Sequence, residues 1–107
     1  MKNMQQLLKQ AQKLQGKLSE AQKDLEIQEV IGTSGSGLVN VTMTLKGIVR
    51  SIELDNSIID PNEKEVIEDL LVAAMNDAKQ KADKKFDDGM KEASGGMDLS
   101  QITGGMF

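Results

Sequence analysis

The sequence predicts an α+β fold: a long N-terminal helix, a three-stranded antiparallel meander, a long C-terminal helix and a mobile Gly-rich tail. Two segments repeat apolar residues at helical spacing, and the segment between them alternates apolar and polar residues. Alternation with a period of two buries one face of a sheet, so the middle of the chain is predicted to be β and its flanks α. At 107 residues we expect one domain over 1–93 and a flexible tail over 94–107.

The first helix is expected over residues 3–26. Its apolar residues follow alternating steps of three and four: Met4, Leu7, Ala11, Leu14, Leu18, Ala21 and Leu25. This narrow stripe, which we call the seam, suits packing against one partner helix or a sheet edge, as in coiled coils. Gly16 lies inside the helix and lowers its intrinsic stability.

Three strands are expected, over residues 27–33, 38–45 and 48–54. Residues 34–37 contain two glycines and predict a hairpin turn between the first two strands. The second strand alternates cleanly between apolar and polar residues. In the third strand Val49 has one parity, whereas Ile52 and Leu54 have the other. We therefore expect a β-bulge near residues 50–51, which would bring all three side chains to one face.

The second helix has a clear start signal. Asp60 is the predicted N-cap, Pro61 fits the first helical position, and Glu63 completes a capping box. Apolar residues then recur at helical spacing as far as Phe86. The following Asp-Asp-Gly at 87–89 opposes the helix dipole, so the helix is expected to weaken there.

The predicted element lengths indicate a homodimer. The helices would span about 35 Å and about 40 to 50 Å, whereas three short strands cover only about 20 Å. Helices of this length must extend beyond the sheet and expose their apolar stripes. A second copy of the chain, related by symmetry, would cover them.

The composition argues against an enzyme, a bound cofactor, a metal site or a small-molecule substrate. The chain has no His and no Cys, so the commonest general base, nucleophile and transition-metal ligands are missing. Glu65, Glu68 and Asp69 could in principle hold Mg²⁺, but they fit a solvated helix face on which Lys64 pairs with Glu68. The Gly-Ser-Gly at 35–37 lies between two strands, whereas a phosphate-binding loop opens a helix.

Hydropathy indicates a cytoplasmic protein. Hydrophobic residues make up 38% of the chain and charged residues 28%, ordinary proportions for a water-soluble domain. The chain contains no apolar run near the ~20 residues that a membrane span needs. Its N-terminus is an amphipathic Gln/Lys segment without the apolar stretch of a secretory signal. We expect no membrane partner.

Positive charge is concentrated at one end of an acidic chain. The net charge is −4, yet residues 1–25 carry five lysines and two acids, a local charge of +3. Lysines at i,i+4 spacing repel one another, whereas an ordinary solvated face mixes signs to gain ion pairs. We predict phosphate binding at this face and, second, at a lysine cluster late in the second helix. The candidate residues are Lys2, Lys9, Lys13, Lys17, Lys81, Lys84 and Lys85.

The residue types narrow the nucleic acid to a duplex. Proteins that bind single strands stack bases on aromatic side chains, and this chain has two Phe and no Tyr or Trp. Arginine, the usual bidentate reader of guanine, occurs once, at Arg50. Lysine charges suit backbone phosphates, which favours double-stranded DNA bound with little sequence preference.

Three stretches of the chain together carry a family resemblance: KQAQKLQGKL, GSGLVNVTMTLKG and IIDPNEKEVIEDLLVAAMNDA. They resemble the YbaB/EbfC family of bacterial nucleoid-associated proteins, in its order and spacing, over about residues 4–86. The resemblance implies a small cytoplasmic homodimer, shaped like tweezers, that binds duplex DNA and covers the chromosome. Effects on gene expression and chromosome organisation would follow.

A helical adaptor is the alternative. Its projecting seams would bind another protein, and its lysines would serve only solubility. Salt separates the two hypotheses, because phosphate binding weakens steeply with ionic strength and an apolar contact does not.

Overall fold

The computed structural model of the protein describes residues 2–95, with side chains from residue 3 onward. Its elements are helix α1 (Lys2–Glu26), strands β1 (Glu29–Ser34), β2 (Val39–Thr44) and β3 (Val49–Leu54), and helix α2 (Lys64–Ala93). The strands form one antiparallel sheet in the order β1-β2-β3. The predicted fold class is confirmed. Of the predicted tail at 94–107, the part from residue 96 lies outside the described residues.

The hairpin turn and the β-bulge that the sequence predicts are both present. A short 3₁₀ turn, Gly35–Gly37, joins β1 to β2, and φ is positive at all three of its residues. Between β2 and β3, Thr42 pairs with Ser51 but the next residue, Met43, pairs with Val49. Arg50 is thus the extra residue of a β-bulge, which returns Val49 to the face that Ile52 occupies. The first strand begins two residues later than predicted.

The predicted capping box at the start of the second helix is wrong. Asp60 Oδ1 accepts a hydrogen bond from the Asn62 backbone N–H at 3.0 Å and caps a 3₁₀ turn, Pro61–Glu63. The Glu63 backbone N–H bonds instead to the Asp60 carbonyl oxygen at 2.9 Å. In a 3₁₀ turn a backbone N–H bonds to the carbonyl three residues before it, so the Glu63 N–H is already satisfied. The Asp60 side chain therefore caps the Asn62 N–H, one residue earlier than predicted. The α-helix begins only at Lys64.

The second helix does not weaken at 87–89, contrary to prediction, and continues to Ala93. The reason is a tertiary contact with the end of α1. A Cβ built on Gly89 would lie 2.5 Å from Leu25 Cδ2, so the Leu25 side chain packs directly against α2 at this turn. Leu25 is the buried end of the seam. Burying its side chain outweighs the unfavourable position of the acids relative to the helix dipole.

The core lies between α2 and the sheet and is built from small residues on the helix side. Its buried apolar side chains are Leu25, Val39, Val41, Met43, Leu45, Ala74, Ala78 and Ala82. Gly32 of β1 faces Ala74 and Ala78 so directly that a Cβ there would overlap the helix backbone. The alanine face of α2 and the glycine of β1 therefore fix how closely helix and sheet approach.

Most of α1 projects away from this core. Only Leu25 of the seam is buried, Leu14, Leu18 and Ala21 are half-buried, and the residues before Leu14 are exposed. The described residues accordingly span 74 Å in length and only 25 Å by 17 Å across. We call residues 3–17 the arm. Its position follows from the contact between α1 and α2 at one end of the seam.

Gly32→Ala is expected to destabilise the fold by about 1 to 3 kcal/mol or more, because the new methyl group forces α2 away from β1. Urea unfolding followed by far-UV circular dichroism measures the loss. Gly16→Ala is the matched control: a Cβ there meets nothing within 4 Å, and alanine should stabilise the helix by about 1 kcal/mol. Equal urea midpoints for wild type and Gly32→Ala would contradict this packing.

Candidate nucleic-acid interface

Three of the predicted lysines form one unpaired row along the arm. Lys9, Lys13 and Lys17 are exposed, and successive members lie about 6 Å apart along the helix axis. The ion pairs among the described side chains are formed by other cations: Lys46, Arg50, Lys64, Lys79 and Lys81. The side chain of Lys2, the fourth predicted member, lies outside the described residues. The row thus presents three uncompensated positive charges to solvent.

The row and the seam lie on different sides of α1. At about 100° per residue, Lys9 is almost opposite the mean direction of the seam, and Lys17 is on its flank. The first turn of the helix contains no acid, and the first carboxylate along the chain is that of Glu20. One side of the arm can therefore contact an apolar partner while the other meets phosphate.

Lys23 belongs to the same surface, although we did not predict it. It is exposed and has no ion pair within residues 3–95. It lies fourteen residues, four helical turns, beyond Lys9 and so points to nearly the same side. The heptad spacing of Lys2, Lys9 and Lys23 was the available signal. Glu20 and Asp24, its acidic neighbours, made the end of the helix look mixed in charge.

The structure brings the second predicted cluster to one place, but its members differ in their partners. Lys84 and Lys85 are exposed and, together with Lys81, Val30, Ile31 and Asp88, border a shallow depression of about 380 Å³. Neither lysine forms an ion pair within the described part of the chain. These two side chains are free for phosphate, but an acid lies beside them.

Lys81, by contrast, is bonded to groups at the edge of the sheet. Its Nζ lies 2.9 Å from Asp77 Oδ2 and donates to the Ile31 carbonyl oxygen at 3.0 Å. Asp77 Oδ2 in turn accepts from the Thr33 backbone N–H at 2.9 Å. The two side chains thus satisfy backbone groups at the outer edge of β1, which would otherwise be open to strand pairing.

We call this arrangement of Asp77 and Lys81 against β1 the clamp. The clamp explains why Asp77 is more acidic than an ordinary aspartate. The hydrogen bond from Lys81 and, second, that from the Thr33 N–H stabilise the charged carboxylate and lower the pKa of Asp77 below its ordinary value of 3.8. Asp77 is therefore ionised throughout the neutral range. Its charge holds Lys81 against β1.

The carboxylates considered for magnesium form no site. Glu65, Glu68 and Asp69 are all exposed, and Glu68 pairs with Lys64 at 3.7 Å as predicted. Within the described residues, three or more potential ligands never come together. The Gly-Ser-Gly at 35–37 lies in the β1–β2 hairpin. In the same part of the chain, the helices are too short or too polar to cross a membrane.

Comparison with known proteins gives consistent results. A model of the YbaB/EbfC DNA-binding family matches residues 1–97. A nucleoid-associated protein of Rhodospirillum rubrum is 50% identical over 99 residues, which cover 92% of either chain. One from Maricaulis maris is 48% identical with the same coverage. The solved structure of an uncharacterised protein from Helicobacter pylori superposes with a TM-score of 0.61 at 21% identity, covering 75% of this chain and 84% of that one; this likeness concerns the fold.

The clamp predicts a pH-dependent stability difference between wild type and Asp77→Asn. The folded pKa of Asp77 is lowered from 3.8, so its stabilising charge is fully present well above pH 3.8 and is lost as pH falls through the folded value. The wild-type advantage in urea midpoint should be constant near neutrality and shrink below about pH 4. Asparagine keeps an acceptor for Thr33, so the difference isolates the charge. A difference independent of pH would contradict the clamp.

Proposed function

The chain belongs to the YbaB/EbfC DNA-binding family, and from this membership we propose that it binds duplex DNA as a homodimer through lysine–phosphate contacts. The contacts would carry little sequence preference. The family is one of DNA-binding proteins and not of enzymes. Like the relatives named nucleoid-associated proteins, this protein would act on the nucleoid in the cytoplasm and affect chromosome organisation and gene expression.

The observation that carries the proposal is the unpaired lysine row on the arm. Five of the other cations are paired with nearby carboxylates, whereas the row is unpaired and no acid precedes Glu20 in the sequence, so the row combines free positive charges with an absence of neighbouring acids. Each phosphate that meets a lysine releases a bound counterion, and this release drives binding. Lys84 and Lys85 would form a second, weaker contact beside Asp88.

The surface chemistry favours the DNA backbone over the bases. Phe86, the aromatic residue within the described range, is half-buried against the core, so this part of the chain has no exposed ring for a base to stack on. Arg50 Nε lies 3.9 Å from Glu29 Oε2, so its charge is partly used within the sheet. Contacts to phosphates position a protein without reading sequence.

Two exposed apolar surfaces support a homodimer. On the arm, Met4 is 71% exposed and Leu7 63%. At the sheet, α2 lies over β1 and β2, while Ile52 and Leu54 of β3 remain 45% and 37% exposed although they pair with the buried Val41 and Val39. The outer edge of β3 is also unpaired within the described chain, whereas the edge of β1 is clamped. Surfaces of this kind on a small chain mark an interface.

The adaptor alternative draws on the same exposed seam. If another protein covers Met4 and Leu7, binding depends on apolar burial and is insensitive to salt. DNA binding through the lysine row would instead be strongly salt-dependent. Salt dependence therefore separates the two functions in one measurement.

The lysine row should carry most of the DNA affinity. Lys2 and the three lysines of the row, eight charges in two chains, give a slope of log K against log salt of at most about −7, and about −3 to −5 if only some meet phosphate. Changing Lys9, Lys13 and Lys17 together to Gln should weaken binding to all duplex sequences alike. It should also reduce the magnitude of the slope to about 2 or below. Fluorescence anisotropy of a labelled duplex across a salt series, with single-stranded competitor, measures both quantities.

The matched control removes the same charge elsewhere: Lys84, Lys85 and Lys91 to Gln. All three are exposed, and none forms an ion pair with another described residue. This variant should retain most of the affinity and slope. If it loses binding while the arm variant does not, the contact surface is on α2. If neither variant changes binding, the adaptor function is supported.

Light scattering at micromolar concentration should give twice the chain mass of 11.6 kDa. Ile52→Glu places an unpaired carboxylate in the proposed β3 interface, and Leu7→Glu does so in the seam. Loss of dimer in one variant assigns the interface to that surface. Ile31→Glu is the control, because Ile31 is equally an exposed strand isoleucine but pairs with Thr42 on the opposite sheet face. A wild-type mass of one chain would contradict the homodimer.

A further inference from the structure

Gly16 lies in the interior of α1 without a structural reason for being glycine. It is exposed, its φ is not in the positive range, and a Cβ built on it meets nothing within 4 Å. Gly32 and Gly89 differ, because a Cβ on either would collide with a packed neighbour. Glycine is a poor helix former in such a position. The folding of the described chain therefore gains nothing from glycine at this position.

The position of Gly16 connects it with the lysine row. Leu14 and Leu18 are two residues away on either side, so Gly16 points about 160° from both and lies opposite the seam. Lys13 is three residues before it and Lys17 one residue after it. Lys9 and Lys23 are each seven residues away and point to nearly the same side. Gly16 is thus a gap in the side-chain layer among the lysines.

We propose that Gly16 is the point of closest approach between α1 and the sugar–phosphate backbone of DNA. This inference rests on the proposed function and adds a positioning residue to it. Without a Cβ, the helix backbone can come nearer to the duplex at this turn. The flexible side chains of Lys13 and Lys17 can then reach phosphates on either side of the contact instead of extending to span a gap.

The surroundings of Gly16 favour a polyanion over a protein partner. Its helical neighbours three and four residues away are Gln12, Lys13, Ser19 and Glu20, none of which is apolar. A packed protein surface would gain little from covering them. Glu20 repels phosphate, so the contact lies before Glu20, where Lys13 and Lys17 flank Gly16. The apolar side of the same helix remains available to a second copy.

A hinge is the competing explanation, because glycine is a common site of helix bending. The two explanations differ in how they respond to side-chain size. A hinge is stiffened by any replacement of glycine, so alanine and glutamine should act alike. A steric gap is filled partly by alanine and fully by glutamine, which carries no charge and matches the neighbouring residues of the arm.

The test compares wild type, Gly16→Ala and Gly16→Gln in duplex-binding affinity and urea midpoint. Both variants should unfold at higher urea concentration, yet bind DNA more weakly, by about threefold for alanine and about tenfold or more for glutamine, roughly the factor of one lost contact. Opposite changes in stability and affinity cannot arise from damage to the fold. Ser19→Ala is the control, because it also favours helix but adds no bulk, and its affinity should be that of wild type.

Several outcomes would overturn this inference. Unchanged or increased affinity in Gly16→Gln excludes close approach, and equal losses for alanine and glutamine favour the hinge. A changed light-scattering mass in Gly16→Gln would mean that a second copy packs on this face. The lysine variants distinguish failure of this inference from failure of the proposed function. If changing Lys9, Lys13 and Lys17 weakens DNA binding and changing Gly16 does not, only the closest-approach inference fails. If the lysines do not matter, the proposed function itself fails.

Discussion

The arrangement of the sheet and of its two edges depends on the close approach of helix α2 to strand β1. Gly32 leaves room for the backbone at Ala74 and Ala78, so the helix and strand meet without long side chains between them. At this separation Asp77 and Lys81 reach the outer edge of β1. Because α2 lies over β1 and β2, β3 keeps a free edge and exposed apolar side chains. One pair of small-residue surfaces thus decides which sheet edge is protected and which remains open to a partner.

The order of elements could be predicted because local periodicity determines it. The seam of the first helix and the bulge at Arg50 also followed from spacing alone. The end of α2 could not be predicted in this way. Gly89 is helical because Leu25, far away in the chain, packs against it, and no local pattern contains that information. The capping box failed for a subtler reason, since a 3₁₀ turn and an α-helix share the same sequence signals at their first residues.

The candidate site likewise combines features that local spacing predicts with features that depend on tertiary packing. The lysine row was visible in the sequence because residues four apart on a helix share a side. The sequence did not show that Lys81 is bound to the edge of the sheet whereas Lys84 is unpaired, because both are exposed lysines on one helix. Lys81 lies within reach of a carbonyl group 50 residues earlier in the chain, and only the packing of α2 on β1 makes that contact. Counting lysines on a helix therefore overestimates the charge that is free to meet phosphate.

The projection of the arm explains how an acidic protein can present a basic surface. Lys17 and Lys9 lie about 12 Å and about 24 Å along the helix from Leu25, where the core begins. Fields between exposed charges are largely screened beyond about 8 to 10 Å in physiological salt. The acids of the sheet and of α2 therefore have little effect on potential at the row, whatever the net charge. A helical segment this short is marginally stable alone, so the exposed seam matters for charge as well as for assembly. A partner along the seam would hold the arm helical and keep its lysines in one line. In the proposed homodimer, association and phosphate binding would thus depend on opposite sides of one helix.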